Sequence, residues 1–142
     1  MNDLIARAKQ LLDGRYVRHV HTVAAVLETK SGAVYEAVNI DHFSAFVCAE
    51  MAVLSMAINA GETEFSQVVA VRREKDGVVD VANPCGKCRQ IFFDYSTGIL
   101  MAVRDDDRVM MRSVEELLPY SFDHQRNKIS AALQVASDEV MV

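Results

Sequence analysis

Apolar residues recur with helical spacing at the start of the chain. Between residues 3 and 12 they occupy positions 4, 5, 8, 11 and 12, which form one stripe of a helix that Gly14 is predicted to end. Two stretches rich in Val and Thr follow, at 17–27 and 33–38, separated by a turn that ends in Gly32. Two extended stretches joined by a short turn of this kind predict a β-hairpin.

The rest of the chain alternates between helical and extended patterns. A predicted loop over 39–47 comes first, and further helices are predicted at 48–60, 85–95, 114–118 and 123–137. Further strands are predicted at 67–73, 77–81, 99–104 and 109–113. Gly61 is expected to end the second helix as a left-handed cap. Helices and strands in this order predict an α/β fold with three layers around one mixed sheet.

Composition and charge narrow the class of protein. A length of 142 residues predicts a single domain over 1–142, and 51% apolar residues exclude an intrinsically disordered chain. The apolar stretches are too short for a membrane span, and the first residues lack the pattern of a secretory signal. A net charge of −5 argues against a polyanionic ligand. We therefore expect a cytoplasmic protein with no nucleic-acid or membrane partner.

Three cysteines lie where two of the predicted helices begin. Cys48 opens one helix, and Cys85 and Cys88 have i, i+3 spacing in the first turn of another, which places their thiols on one face. The positive end of the helix dipole favours thiolates at such positions. Three thiolates that meet at two helix ends predict a zinc site with one position left for water, the arrangement of catalytic rather than structural zinc.

Glu50 follows Cys48 by two residues and therefore faces a different direction on the same turn. This spacing favours a carboxylate beside the metal, where it can exchange protons with a water molecule, over a carboxylate on the metal. A glutamate that is not a ligand, combined with Pro-Cys-x-x-Cys, is the signature of zinc deaminases. The chain contains both parts, as Cys48-Ala49-Glu50 and as Pro-Cys-Gly-Lys-Cys at residues 84–88.

The aromatic and imidazole side chains carry less information. The histidines, His19, His21, His42 and His124, show no ligand spacing, and we interpret them as surface or internally satisfied residues. Phe43 and Phe46 flank the loop before Cys48, where either could stack on a base, but burial in the core is the favoured interpretation.

Through these motifs the sequence resembles the cytidine deaminase family, and within it the blasticidin S deaminases most closely. The resemblance runs from about residue 20 to residue 122. The segment from Asn39 to Glu50 has the His-Phe pair and the short spacing of the blasticidin type. Residues 85–90 match the blasticidin S deaminases and the ordinary cytidine deaminases equally, with the sequence Cys-Gly-Lys-Cys-Arg-Gln. Residues 117–122 are closer to the cytidine deaminases, with the sequence Leu-Leu-Pro-Tyr-Ser-Phe.

The resemblance implies a fold, a cofactor and a set of site residues. The fold would be a three-layer α-β-α sandwich with a mixed five-stranded sheet. The cofactor would be Zn²⁺ on Cys48, Cys85 and Cys88, with Glu50 as the proton shuttle. The substrate would contact three further residues, Asn39, Asp41 and Ala49.

Charge near the zinc site is a separate consideration. Zinc with three thiolates has a net charge of −1, which makes its water less acidic. Lys87 and Arg89 flank Cys88 and would offset that charge. We predict that both act in this way.

The expected reaction is hydrolytic deamination of the cytosine amine in a free nucleoside or analogue, with release of ammonia. Cytidine, deoxycytidine and blasticidin S all fit, in a role in pyrimidine salvage or in resistance. The resemblance also implies a homotetramer or homodimer. The alternatives are a deaminase of another amine-bearing heterocycle, a polynucleotide deaminase, and a non-enzymatic structural zinc or thiol module. Glu50 discriminates against the last of these, because neither a structural nor a redox role needs a carboxylate there.

Overall fold

The computed structural model describes residues 1–96, 98–123, 129, 132–135 and 138. The predicted last helix, 123–137, lies mostly outside these residues. The helices are α1 (Asn2–Arg15), α2 (Ala49–Asn59), α3 (Gly86–Tyr95) and α4 (Val114–Leu117). The strands are β1 (Val23–Thr29), β2 (Val34–Val38), β3 (Ile40–His42), β4 (Ala45–Val47), β5 (Phe65–Arg73), β6 (Val79–Val81), β7 (Leu100–Asp105) and β8 (Arg108–Ser113).

The main sheet is mixed, as predicted. Its strands follow the order β2-β1-β5-β7-β8, and the short β6 pairs with β5 as a sixth strand off this path. β5 and β7 are parallel, and the chain passes between them through α3. The other pairs are antiparallel, including the predicted hairpin of β1 and β2. The five strands of the continuous path correspond to the five-stranded sheet that the resemblance implies.

Helices cover both faces of this sheet, because successive strand residues point to opposite sides. Ala25 and Leu27 of β1 pack with α2, α3 and α4 in one apolar cluster. Ala24 and Val26 belong to a second cluster, which α1 closes on the other face. The predicted three-layer arrangement is therefore confirmed. None of the described helices combines the length and the apolar character needed to cross a membrane.

The cysteines define where two helices begin. Cys48 is the N-cap residue of α2, and Cys85 is the N-cap residue of α3. The Cys85 thiol accepts a hydrogen bond of 3.4 Å from the backbone N–H of Cys88, so it fills the role that a serine or aspartate commonly has at this position. Gly61 has a φ of +93°, which confirms the predicted left-handed end of α2.

The structure corrects the sequence prediction in two segments. The predicted strand over 17–27 begins only at Val23, because His19 has a φ of +64° and turns the chain before the sheet. The predicted loop over 39–47 instead contains the two-stranded hairpin of β3 and β4, separate from the main sheet. Both strands of this hairpin are largely exposed, so they lack the apolar alternation by which a half-buried strand is identified.

Candidate metal centre and active site

The three thiols that the sequence singles out meet in the folded chain. The Sγ atoms of Cys48, Cys85 and Cys88 all lie within 4.8 Å of one another. Cys48 Sγ and Cys85 Sγ are 3.8 Å apart. Tetrahedral coordination with Zn–S bonds of about 2.3 Å requires sulfur atoms about 3.8 Å apart. The donor set and its spacing therefore fit zinc.

The electrostatics of the thiols also favour a cation. Burial raises the pKa of Cys88 and of Cys48, and for Cys88 the nearby negative charge of Glu50 adds to this. Burial acts in the same direction on Cys85, but hydrogen bonds from the backbone of Cys88 and from the other thiols leave its pKa lowered. Three thiolates this close together repel one another. A divalent cation would compensate that repulsion, because metal binding deprotonates its thiol ligands.

Glu50 is a buried carboxylate next to this cluster. It is the second residue of α2, and only 6% of its surface is exposed. Burial raises its pKa, while the backbone at the start of the helix and the positive charge of Lys87 partly oppose that effect. A carboxyl group with a raised pKa can both accept and donate a proton near neutral pH.

The two predicted charge-tuning residues have different surroundings. Lys87 is exposed, and its Nζ lies 5.7 Å from the centre of the Phe46 ring. The Arg89 guanidinium, in contrast, donates to two backbone carbonyl oxygens, Pro84 at 2.9 Å and Leu117 at 3.0 Å. Only Lys87 thus presents its charge without a hydrogen bond that anchors it to the backbone of another segment.

Asn39 is buried, and its side chain is bonded to the segment that precedes β1. Its Oδ1 accepts hydrogen bonds from the backbone N–H groups of Thr22 at 2.7 Å and Val23 at 2.9 Å. Its Nδ2 donates to the carbonyl oxygen of Val20 at 3.3 Å, and its own carbonyl oxygen accepts from His21 Nδ1 at 2.8 Å. Sequence spacing contained no signal for these contacts, because the partners lie 16 to 19 positions away.

Replacing Asn39 by Ala is expected to lower the free energy of unfolding by about 2 kcal/mol, because two partly buried N–H groups lose their acceptor. Asn39→Asp keeps the acceptor for Thr22 and Val23 but loses the donor to Val20, so its loss of stability reports the missing donor and the burial of a carboxylate. Urea unfolding of both variants measures the difference. An unchanged unfolding curve for Asn39→Ala, with only a higher KM, would instead assign Asn39 to substrate contact alone.

The other two predicted substrate residues lie on either side of Cys48. Asp41 is exposed on β3, opposite Phe46 of β4. Ala49 is the first residue of α2 and has no exposed surface. Its backbone N–H is one of those at a helix start that lack an intrahelical acceptor.

The hairpin of β3 and β4 holds the predicted core aromatics on its surface. Phe43 is 98% exposed and Phe46 is 48% exposed, so the prediction that they are buried is wrong. The reason is that the hairpin stands apart from the main sheet, and none of the described helices or strands covers these two rings. His42 stacks on Phe43 with ring centres 4.3 Å apart and lies 2.7 Å from the Ser44 hydroxyl oxygen. The interpretation of His42 as a satisfied surface residue is confirmed, whereas His124 lies outside the described residues.

Comparisons with known proteins agree with this site. Residues 2–103 match the family described as the cytidine and deoxycytidylate deaminase zinc-binding region. Blasticidin-S deaminase of Bacillus cereus is 29% identical over 126 residues, which cover 84% of this chain and 90% of that protein. The cytidine deaminase structure from Burkholderia pseudomallei is 26% identical with a TM-score of 0.70, over 85% of this chain and 98% of that one.

A second solved structure supports the fold. The cytidine deaminase from Bacillus anthracis has a TM-score of 0.76 at 21% identity, over 93% of this chain and 96% of that one. The two chains therefore share one architecture. Together with the family match over residues 2–103, these findings show that the chain belongs to the cytidine and deoxycytidylate deaminase zinc-binding family and is a zinc-dependent hydrolytic deaminase.

Proposed function

We propose that the protein, as a single domain over 1–142, deaminates the cytosine ring of a free nucleoside or nucleoside analogue. The candidate substrates are cytidine, deoxycytidine and blasticidin S, and the products are the uracil form and ammonia. The observation that carries the proposal is the cluster of three thiols within 4.8 Å of one another, next to a buried carboxylate. A structural zinc site would need a fourth protein ligand and would have no use for Glu50.

Cys48, Cys85 and Cys88 are the residues that would hold the metal. Zinc, when bound, lowers the pKa of a coordinated water to about 7 and so supplies the nucleophile that attacks C4. Glu50 moves the protons: its carboxylate accepts one proton from the attacking water and gives it to ring N3. It then accepts the second proton from the oxygen added at C4 and gives it to the amine, which leaves as ammonia when the C4–N bond breaks. Its burial keeps these transfers away from bulk water.

Substrate contacts are assigned to residues that border Cys48 in the chain. Ala49 offers a backbone N–H at the start of α2, and Asp41 offers a carboxylate on the exposed hairpin that leads into Cys48. Asn39 lies at the base of that hairpin, where its side chain would have to exchange a backbone partner to bind a sugar hydroxyl. The exposed Asp41 favours a neutral or cationic nucleoside over a phosphorylated one.

A panel of amines tests this proposal. Purified protein with measured zinc content is incubated with cytidine, deoxycytidine, blasticidin S, a further amine-bearing heterocycle and a cytosine-containing single-stranded oligonucleotide, and ammonia release is scored. We expect turnover of at least one of the three nucleosides and none of the oligonucleotide. Turnover confined to the other heterocycle or to the oligonucleotide would contradict the proposal and identify the alternative.

Lys87 is proposed to offset the negative charge of zinc and three thiolates, because its positive charge lowers the pKa of Glu50. Lys87→Ala removes that effect, so the pKa of Glu50 rises and the acid limb of the pH–rate profile should move to higher pH. The shift should be small, because the Lys87 side chain is exposed and its charge is screened by solvent. Lys87→Arg keeps the charge and serves as the control. An unchanged profile for Lys87→Ala would remove Lys87 from this role.

A homotetramer, or a homodimer, is the proposed assembly. The hairpin of β3 and β4 supports it, because Ile40, Phe43 and Phe46 expose apolar surface beside the site. Light scattering measures the mass of the particle in solution, and a monomer at micromolar concentration would contradict this assembly.

The proposed location is the cytoplasm, where thiols remain reduced and able to bind zinc. The proposed role is pyrimidine salvage if cytidine or deoxycytidine is the better substrate, and resistance if blasticidin S is. Ratios of kcat/KM across the panel decide between the two roles.

A further inference from the structure

One side chain of α3 joins the loop before Cys85 to the C-terminal part of the chain. Arg89 donates from Nε to the Pro84 carbonyl oxygen at 2.9 Å, and from Nη1 to the Leu117 carbonyl oxygen at 3.0 Å. The Pro84 carbonyl belongs to the peptide group that enters Cys85. Since Leu117 lies 28 positions further along the chain, the guanidinium bridges two segments that are distant in sequence.

Arg89 also holds the peptide group on the other side of Cys85. Its backbone N–H donates to the Cys85 carbonyl oxygen at 3.0 Å. A single residue therefore engages both carbonyls that flank Cys85. The thiol itself accepts from the backbone of Cys88, in the same helical turn. The position of Cys85 Sγ, 3.8 Å from Cys48 Sγ, consequently depends on where Arg89 lies.

The next residue holds the far end of the same C-terminal segment. Gln90 Nε2 donates to the carbonyl oxygen of Phe122 at 2.7 Å and also contacts the Asp94 carboxylate at 3.2 Å. Arg89 and Gln90 thus fasten both ends of residues 117–122, which we name the C-terminal strap. The strap leaves the helical path after α4, because it contains Pro119 and a Tyr120 with a φ of +54°, while Leu117 and Leu118 pack against the core.

We propose that Arg89 is a positioning residue for the deamination reaction, because it bridges Pro84 and Leu117 and so makes the geometry of Cys85 depend on the docking of the C-terminal strap. The inference rests on the proposed function, in which Cys85 is a zinc ligand. The planar guanidinium directs its N–H groups at two acceptors in fixed directions. A lysine ammonium has no such fixed pair of donors and cannot bridge the same two carbonyl oxygens. Both donors are directed at neutral carbonyl oxygens, so this role depends on hydrogen-bond geometry and is separate from the predicted role of the Arg89 charge.

Three variants of the full-length zinc-loaded protein test the inference: Arg89→Lys, Arg89→Met and Gln90→Leu. The rate of zinc transfer to a chromogenic chelator is measured together with kcat, KM, the pH–rate profile and the temperature of unfolding. We expect both Arg89 variants to lose zinc at least about tenfold faster than the wild type, as for other residues that orient a metal ligand. We expect kcat/KM to fall in parallel, without a shift of the pH–rate profile. Gln90→Leu leaves both bonds of the Arg89 guanidinium in place and frees only the Phe122 end of the strap, so it should lose zinc more slowly than the Arg89 variants and faster than the wild type.

Several results would overturn the inference. Arg89→Lys behaving as wild type, with a shifted pH–rate profile for Arg89→Met alone, would assign Arg89 a role through charge. A lower unfolding temperature with unchanged zinc release and kinetics would make it a merely structural residue. A wild-type protein that holds no zinc would overturn the proposed function as well. A wild type that holds zinc but does not turn over a nucleoside would contradict only the substrate assignment, and zinc release would still decide the role of Arg89.

Discussion

Glu50→Gln is expected to fold and to bind zinc as the wild type does, while kcat falls by about three to four orders of magnitude. The amide has nearly the shape of the carboxylate but cannot accept a proton from water or return one to the amine. Glu50 is almost fully buried, so a base from the solvent-exposed surface cannot take its place without a rearrangement of α2. Ammonia release in single-turnover and steady-state assays measures the loss.

The controls for this prediction separate chemistry from folding. Zinc content by metal analysis and thermal unfolding should match the wild type, because the three thiols are untouched. Met51→Leu changes the neighbouring residue on the same helix and should retain activity. Near-normal turnover by Glu50→Gln would exclude Glu50 as the proton shuttle, and loss of zinc would mean that the carboxylate is itself a ligand.

Cys88→Ala is expected to lose both bound zinc and activity, and to unfold at a lower temperature than the wild type. Cys88 is the proposed ligand with no exposed surface, so water cannot easily replace its thiol at the metal. A metal that binds only the folded state adds about 4 kcal/mol to the free energy of unfolding when its free concentration is 1,000 times Kd. The variant lacks this contribution to its free energy of unfolding. A chelator that removes zinc should lower the unfolding temperature of the wild type in the same way.

Metal analysis and calorimetry in the presence and absence of added zinc measure this effect. About one zinc per chain is expected for the wild type. Less than about a tenth of that is expected for Cys88→Ala, because only two of the three thiol donors remain. Met56→Leu, an exposed position on α2, is the control for substitution itself. A Cys88→Ala protein that keeps one zinc per chain would show that the metal lies elsewhere.

Much of this site could be predicted because its information is local in sequence. Cys85 and Cys88 lie within one helical turn, and Glu50 is two residues from Cys48, so spacing alone sets their relative directions. Gly61 and the apolar periodicity of α2 likewise indicated where that helix ends. Cys48 lies close to Cys85 because α2 and α3 pack on the same face of the main sheet. The family resemblance implied this contact, but the spacing of the cysteines in the sequence does not require it.

Other features could not be predicted, because they depend on contacts between distant segments. The bonds of Asn39 to residues 20–23 require β1 and β2 to be paired first. The bond from Arg89 to Leu117 requires the chain to return to α3 after β7 and β8. The exposure of Phe43 depends on the absence of a covering layer over the hairpin among the described residues, which an apolar residue in a sequence does not reveal.

The separation of the β3–β4 hairpin from the main sheet has a consequence for how this enzyme can change. Within the described part of the chain its strands pair only with each other, so residues 40–47 can be exchanged without altering the register of any strand in the main sheet. Asn39 holds one end of the hairpin by its hydrogen bonds, and Cys48 is the N-cap residue of α2 at the other end. A replacement segment of equal length would therefore connect the same two residues. Residues 40–47 can therefore vary in sequence while the strands that carry the core keep their pairing, so changes in this exposed segment should cost the fold little stability.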